Sequence, residues 1–234
     1  MTTPRLQLLV GGARAETRAD AAAVDGPSAA RVAQLVRRGN CWSERWVDQF
    51  LPTDLRRLSS QHWTPLPVTR RAAQWIRELG IGSMVDIGSG VGKFCVATAL
   101  AAEDCTFVGV EQRPRLVREA ARLAETFGVQ DRVTFVQGTL GELELPLASA
   151  YYLFNPFGEN LHGRADQIDA AVELSKARYE RDVSLIRTLL RQAAYGTYVL
   201  EYNGFGGEMP PGYRPVRADR NLPSPLRLWR KYKL

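Results

Sequence analysis

Apolar residues along this chain recur at two different periods, and the switches between them mark out its elements. Over 28–36 and 42–58 they return every three or four positions, with Trp42, Trp46, Phe50 and Leu51 in one stripe, which predicts two helices. A third helix is expected over 67–80, where Pro67 suits a first turn and Gly80 a C-cap. The pattern then alternates: a strand over 84–87, a helix over 91–102, a strand over 106–110, a helix over 114–127 and a strand over 133–136. Of these the 114–127 helix is the most sharply patterned. Leu116, Val117, Ala120, Leu123, Ala124 and Phe127 share one face, with Arg115, Arg118 and Arg122 outside it. A strand over 151–154, a long helical stretch over 165–194 in one piece or two, a strand over 197–202 and two tail segments, 213–217 and 226–232, complete the series.

Strands alternating with helices through short connections predict an α/β fold, a doubly wound, seven-stranded, mostly parallel sheet with N-terminal capping helices. Residues 1–27, with Gly11, Gly12, Gly26 and Pro27 among alanines and alternating charges, read as a flexible arm; 28–66 form the helical cap and 67–234 the main domain. In such sheets ligands bind beyond the carboxyl ends of the strands, so the residues after each strand are the ones to read for chemistry.

Composition narrows the classes. With 45% apolar and 24% charged residues, the chain has the make-up of a folded globular protein. A formal charge of +6 and a pI near 9.5 suit an anionic partner such as RNA, although a solvated basic surface accounts for them equally. Cys41, Cys95 and Cys105 are odd in number and lack ligand spacing, and His62 and His162 are far apart, so neither a metal nor a disulfide framework is expected. The longest apolar run, 94–102, is too short to span a bilayer, and Leu6 to Val10 is too short for a signal-peptide core. The protein is expected to be cytoplasmic, with no membrane partner.

After the first strand comes Asp86-Ile87-Gly88-Ser89-Gly90-Val91-Gly92, three glycines at alternate positions that turn the chain and let its backbone approach a ligand. The spacing is GxGxG rather than the GxGxxG of pyrophosphate-binding loops, and Asp86 in front of it would repel a pyrophosphate, which disfavours a nicotinamide cofactor. At the end of the second strand stands Glu111, nineteen residues beyond Gly92, placed like the carboxylate that takes ribose hydroxyls in nucleoside-binding α/β folds.

The segment from Val85 to Phe94, followed by Phe107-Val108-Gly109-Val110-Glu111, resembles motif I and its acidic successor in class I methyltransferases that use S-adenosylmethionine (SAM). The resemblance implies a Rossmann-like fold, SAM as cofactor, and a cofactor site built from Asp86, Gly88, Ser89, Gly90, Gly92, Glu111, Gln112 and Thr139. In it Asp86 lies near the methionyl end, Glu111 on the ribose and Thr139 on the adenine. Thr64-Pro65 upstream and Asn155 after the fourth strand are also similar to the non-SET histone-lysine methyltransferase family, whose Thr-Pro segment lies near the cofactor, which adds Thr64 to the set.

The acceptor side is expected at Asn155-Pro156-Phe157, where the fourth strand ends. The Asn155 side-chain oxygen and the Pro156 carbonyl can each accept a hydrogen bond from an acceptor nitrogen, and Phe157 offers a flat face. This resembles the Asn-Pro-Pro-aromatic motif of amino-group methyltransferases, with the second proline missing and the aromatic residue one place early. Methyl transfer rests mainly on positioning and desolvation. The expected activity is therefore SAM-dependent methylation, with a nitrogen on a protein or nucleic acid preferred over a small metabolite as acceptor. Glu159 is either a proton acceptor or a solvated loop acid, and His162 is read as incidental.

Overall fold

The computed structural model describes residues 26–41 and 43–233. The arm expected over 1–27 therefore falls almost wholly outside the described residues, as does Trp42. Four helices come first: α1 (Ala29–Arg37), α2 (Glu44–Asp48), α3 (Thr53–Arg57) and α4 (Ser59–His62). Ser28 caps α1, its hydroxyl accepting from the Arg31 N–H at 3.4 Å. The single helix expected over 42–58 is broken into α2 and α3 because Pro52 disfavours helical backbone at Leu51 before it.

Then come α5 (Leu66–Leu79), β1 (Ser83–Ile87), α6 (Lys93–Ala101), β2 (Thr106–Glu111), α7 (Pro114–Phe127), β3 (Val133–Gln137), β4 (Ala150–Phe154), α8 (Lys176–Gln192), β5 (Tyr198–Tyr202), β6 (Tyr213–Asp219) and β7 (Leu226–Lys231). Gly80 and Gly128 end α5 and α7 in the left-handed conformation, where glycine has no β-carbon penalty. The helix expected over 165–194 forms only in its second half. Glu159 accepts from the Ile168 N–H at 2.7 Å and Asp169 from the Ala171 N–H at 2.9 Å, so side chains take backbone donors that a helix would need. Ser175 then caps the true start of α8.

The seven strands form one sheet in the order β3-β2-β1-β4-β5-β7-β6. Strands β1 to β5 run parallel, and β7 lies antiparallel between β5 and β6. Strand order reverses between β1 and β4, which opens a crevice at their carboxyl ends. One face carries the larger core, with α1, α5, α6 and α7 packed on Met84, Phe107, Tyr152 and Leu200. On the opposite face Ile186 and Leu190 of α8 cover Val85, Ile87, Leu153 and Val199. Helix α6 is apolar all round and buried from Lys93 to Leu100, as expected of a helix enclosed on every side. Among the described residues no helix is long and apolar enough to cross a membrane, and no group of three or more His, Cys, Asp or Glu side chains is placed to hold a metal.

Gly92, entering α6, has φ +72°, and a β-carbon there would stand 2.3 Å from the Phe135 ring and 2.9 Å from Ala120. Gly128 has a similar φ of +66° but open space around it. Gly128→Ala should therefore cost about 1 kcal/mol, the left-handed penalty alone, whereas Gly92→Ala adds overpacking and should cost about 2–4 kcal/mol. Urea unfolding of the two variants checks the difference.

Candidate active site

The crevice at the β1/β4 switch point opens into a cleft of about 290 Å³. Its walls come from every loop at that sheet edge: Gly88 and Gly90 after β1, Glu111 to Arg113 after β2, Gly138 to Leu140 after β3, Asn155 to Phe157 after β4 and Asn203 after β5, with Gln61, His62 and Trp63 entering from the cap. Residues separated by more than a hundred positions thus meet because parallel strands end in register.

The glycine loop satisfies its own backbone. The N–H groups of Gly88 and Ser89 both donate to the Val110 carbonyl, at 2.9 and 3.0 Å, and that of Gly92 donates to the Ser89 carbonyl at 2.9 Å. The Gly90 N–H donates to Glu111 Oε2 at 3.1 Å. Four amides that a phosphate cradle would aim at a ligand are spent inside the protein, which removes the main reason a pyrophosphate would bind.

Glu111 is the centre of the arrangement. It is 6% exposed, and its other oxygen accepts from the Arg113 N–H at 2.9 Å. Burial pushes its carboxyl up, against the Arg113 and Gly90 N–H groups and the Arg113 charge, which pull it down. Each carboxylate oxygen keeps a free lone-pair direction at the cleft, since a carboxylate accepts about four hydrogen bonds and the backbone takes two. Asp86 lies fully buried behind the loop, accepting from the Cys95 thiol at 3.4 Å. Burial and, to a smaller degree, the nearby Glu111 charge raise its carboxyl to about 7, against the Cys95 hydrogen bond. The neighbouring cation, Lys93 Nζ, is held by Glu44 at 2.5 Å and Asp48 at 2.7 Å.

Of the residues expected from sequence, Gly88, Gly90, Glu111, Gln112, Thr139, Asn155, Pro156 and Phe157 all line the cleft. Four expected residues do not. Asp86, Thr64 and Ser89 border a smaller pocket of about 30 Å³ beneath the loop. The Thr64 hydroxyl is engaged by the Tyr152 hydroxyl at 3.0 Å, and Tyr152 is in turn stacked on Phe94. Ser89 Oγ is buried without a hydrogen-bond partner and turned toward β2, where a β-carbon on Gly109 would lie 2.7 Å from it. Gly92 serves packing against Phe135 instead of ligand contact.

Sequence reasoning also missed residues. Trp63, not Thr64, faces the cleft: its indole N–H donates to the Leu55 carbonyl at 2.9 Å, and its ring lies so near the loop that a β-carbon on Gly90 would approach it to 2.6 Å. Arg113, its side chain 2% exposed, pairs with Glu159 and Asp169, each at 2.8 Å. Glu159 is thereby an ion-pair partner, not a free base. Arg178 donates to Gln112 Oε1 from α8. His62 and His162, a hundred positions apart, place their rings 6.0 Å from each other on the cleft wall. His62 Nε2 and His162 Nδ1 are both buried without a partner, and burial lowers the His62 pKa. The signal available for Arg113 was its place two residues after the strand-ending acid; the histidine pair left none.

A family model described as a methyltransferase domain matches residues 82–154, the stretch from β1 through β4. The chain carries a class I SAM-dependent methyltransferase domain. No curated protein matches the sequence. Among solved structures, an RNA methyltransferase from Salinibacter ruber bound to S-adenosyl-L-homocysteine is 24% identical, the match covering 73% of this chain and 94% of that one with a TM-score of 0.53. An O-methyltransferase family 2 protein from Planctomyces limnophilus in complex with apigenin is 18% identical over 79% of this chain and 61% of that one, TM-score 0.52. Human N-acetylserotonin methyltransferase in complex with SAM is 14% identical over 88% and 66%, TM-score 0.52. The chain thus spans less than two thirds of the latter two, and at these identities the likeness is one of fold. The methyltransferase uses SAM as its cofactor.

The proton held on Asp86 gives a test of the buried carboxyl. The folded methyltransferase keeps that proton up to about pH 7, whereas the unfolded chain releases it near pH 4. Stability therefore falls as pH rises across that window, and the loss is complete above it. Asp86→Asn should flatten the fall and leave the variant more stable than the parent at pH 8, by a few kcal/mol. Urea unfolding at pH 5, 6, 7 and 8 measures the slope.

Proposed function

We propose that the methyltransferase holds SAM over Gly88 and Gly90 and transfers its methyl group to a nitrogen on a protein or nucleic acid, held against Asn155, Pro156 and Phe157. The observation that carries the cofactor reading is Glu111, a buried carboxylate with both oxygens fixed by backbone donors and lone pairs left toward the cleft. Two ribose hydroxyls match that acceptor pair. Gln112 and Thr139 border the adenine end, and Gly88 and Gly90 admit the ligand close to the main chain. Asp86 acts from behind the loop on the methionyl end, through the field of its carboxyl.

Bound SAM supplies a methyl group on a cationic sulfonium. The chain's own contribution is positional. Asn155 has φ +39°, uncommon for a residue with a side chain, and its N–H is tied to the Gly204 carbonyl at 2.8 Å, so the loop after β5 fixes the loop after β4. Pro156 packs onto the glycine loop, where a β-carbon on Gly88 would lie 3.2 Å from its own. A nitrogen donor bound to the Asn155 oxygen and the Pro156 carbonyl then stands beside the loop that borders the cofactor. A protein acceptor draws on the likeness to non-SET histone-lysine methyltransferases through Asn155, because Thr64 is engaged by Tyr152.

A second reading, a small hydroxylated metabolite methylated on oxygen, is favoured by the unpartnered ring nitrogens of His62 and His162, since a hydroxyl must lose its proton as it attacks. The acceptor fraction separates the two. Labelled SAM incubated with fractionated lysate should mark protein or nucleic acid; label confined to metabolites selects the second reading.

Calorimetry with SAM tests the site. Glu111→Ala should weaken binding at least about tenfold, the loss of one or two charge-assisted hydrogen bonds. Asn155→Ala should leave SAM affinity within about threefold while lowering label transfer about tenfold or more. Unchanged SAM binding by Glu111→Ala overturns the cofactor placement.

A further inference from the structure

The largest concentration of positive charge lies away from the cleft. A groove of about 360 Å³ runs between the C-terminal end of α1 and the length of α5. Arg37, Arg38, Arg70, Arg71 and Arg77 line it, with Asp219 as the sole acid in the lining. It shares no lining residue with the catalytic cleft. Glu103 reaches Arg37 from outside at 3.4 Å, so five cations face two anions.

Several of these guanidinium groups are already fixed. Arg71 is held by Asp219 at 2.6 Å and by Gln74 at 2.7 Å. Arg77 donates to the Ala101 carbonyl at 2.5 Å and Arg70 to the Gly39 carbonyl at 3.5 Å. Carbonyl acceptors orient a guanidinium without neutralising it, and a guanidinium has five N–H donors. Arg70 and Arg77 are seven residues apart on α5, which sets them on one face about 10 Å apart along the axis. Planar cations spaced along a concave surface fit phosphate groups, which arginine grips bidentately.

We propose that this groove binds phosphate groups, presented by a nucleic-acid backbone or by a free polyphosphate. Binding at the groove is independent of the acceptor assigned to the cleft. It also gives the basic balance of the chain, +6 overall, a definite location.

Fluorescence anisotropy with a labelled single-stranded RNA of about twenty nucleotides, titrated with the full chain at several salt concentrations, tests this. The groove variant is Arg38→Glu with Arg70→Glu; the control, Arg187→Glu with Arg191→Glu on exposed positions of α8, carries the same change in net charge. The groove variant should bind at least tenfold more weakly and lose about one unit of the slope of log affinity against log salt, while the control stays within about threefold. Both should bind SAM as the parent does, which shows that the fold and the cleft are intact. If the glutamate pair melts, Arg38→Gln with Arg70→Gln removes charge without adding any and should still weaken binding severalfold. Tripolyphosphate that displaces the RNA at matched phosphate concentration identifies a site for free polyphosphate; RNA that resists it identifies the backbone. Equal losses in groove and control variants, no loss in the groove variant, or a parent that binds neither probe overturns the proposal.

Discussion

The site depends on one carboxylate gripped by two backbone amides. Glu111 ends β2, and its oxygens take the N–H groups of Gly90 and Arg113, which ties the loop after β1 to the start of α7. The Arg113 side chain continues the tie to Glu159 and Asp169, in the segment that follows β4. A continuous run of charge-assisted hydrogen bonds therefore links the glycine loop to the acceptor loop. Removing one partner of such a buried pair typically costs about 3–5 kcal/mol, because the remaining charge loses its compensation. The cofactor wall and the acceptor wall are thus held as one unit.

That constraint also explains the chemical character of the cleft. The loop amides are consumed by Val110, Ser89 and Glu111, so the backbone presents no nest for an anion. Two carboxyls, Asp86 and Glu111, lie buried at the same place, each with its pKa raised by desolvation. A cation entering there relieves the cost of keeping them charged, and a pyrophosphate would add to it. The negative interior sits in a basic protein whose arginines gather elsewhere, along α1 and α5. Cleft and groove are electrostatically opposite, which suits a cationic cofactor in one and phosphate in the other.

Most of the fold was legible because period and turn chemistry agree locally. The seven strands and helices α1, α5, α6 and α7 lie within a residue or two of the expected bounds. The failures are where tertiary demands outrank propensity. The segment 163–175 has helical composition, yet Glu159 and Asp169 draw off its backbone donors to serve Arg113. The stretch after Cys41 has a helical stripe, yet Pro52 divides it and lets Glu44 meet both Lys93 and the N–H of Leu66.

The sequence by itself determined the alternation of elements, the glycine loop and the strand-ending acid, since each is a short-range pattern whose geometry follows from a few neighbouring residues. Only the tertiary structure decided which of those residues face the cleft. It turned Ser89 and Thr64 away, buried Asp86 beneath the loop, put Trp63 against Gly90 and brought His62 to His162. The reason is physical: orientation and long-range contact are fixed by packing across parallel strands, and no local pattern encodes which side chain the neighbouring strand leaves room for.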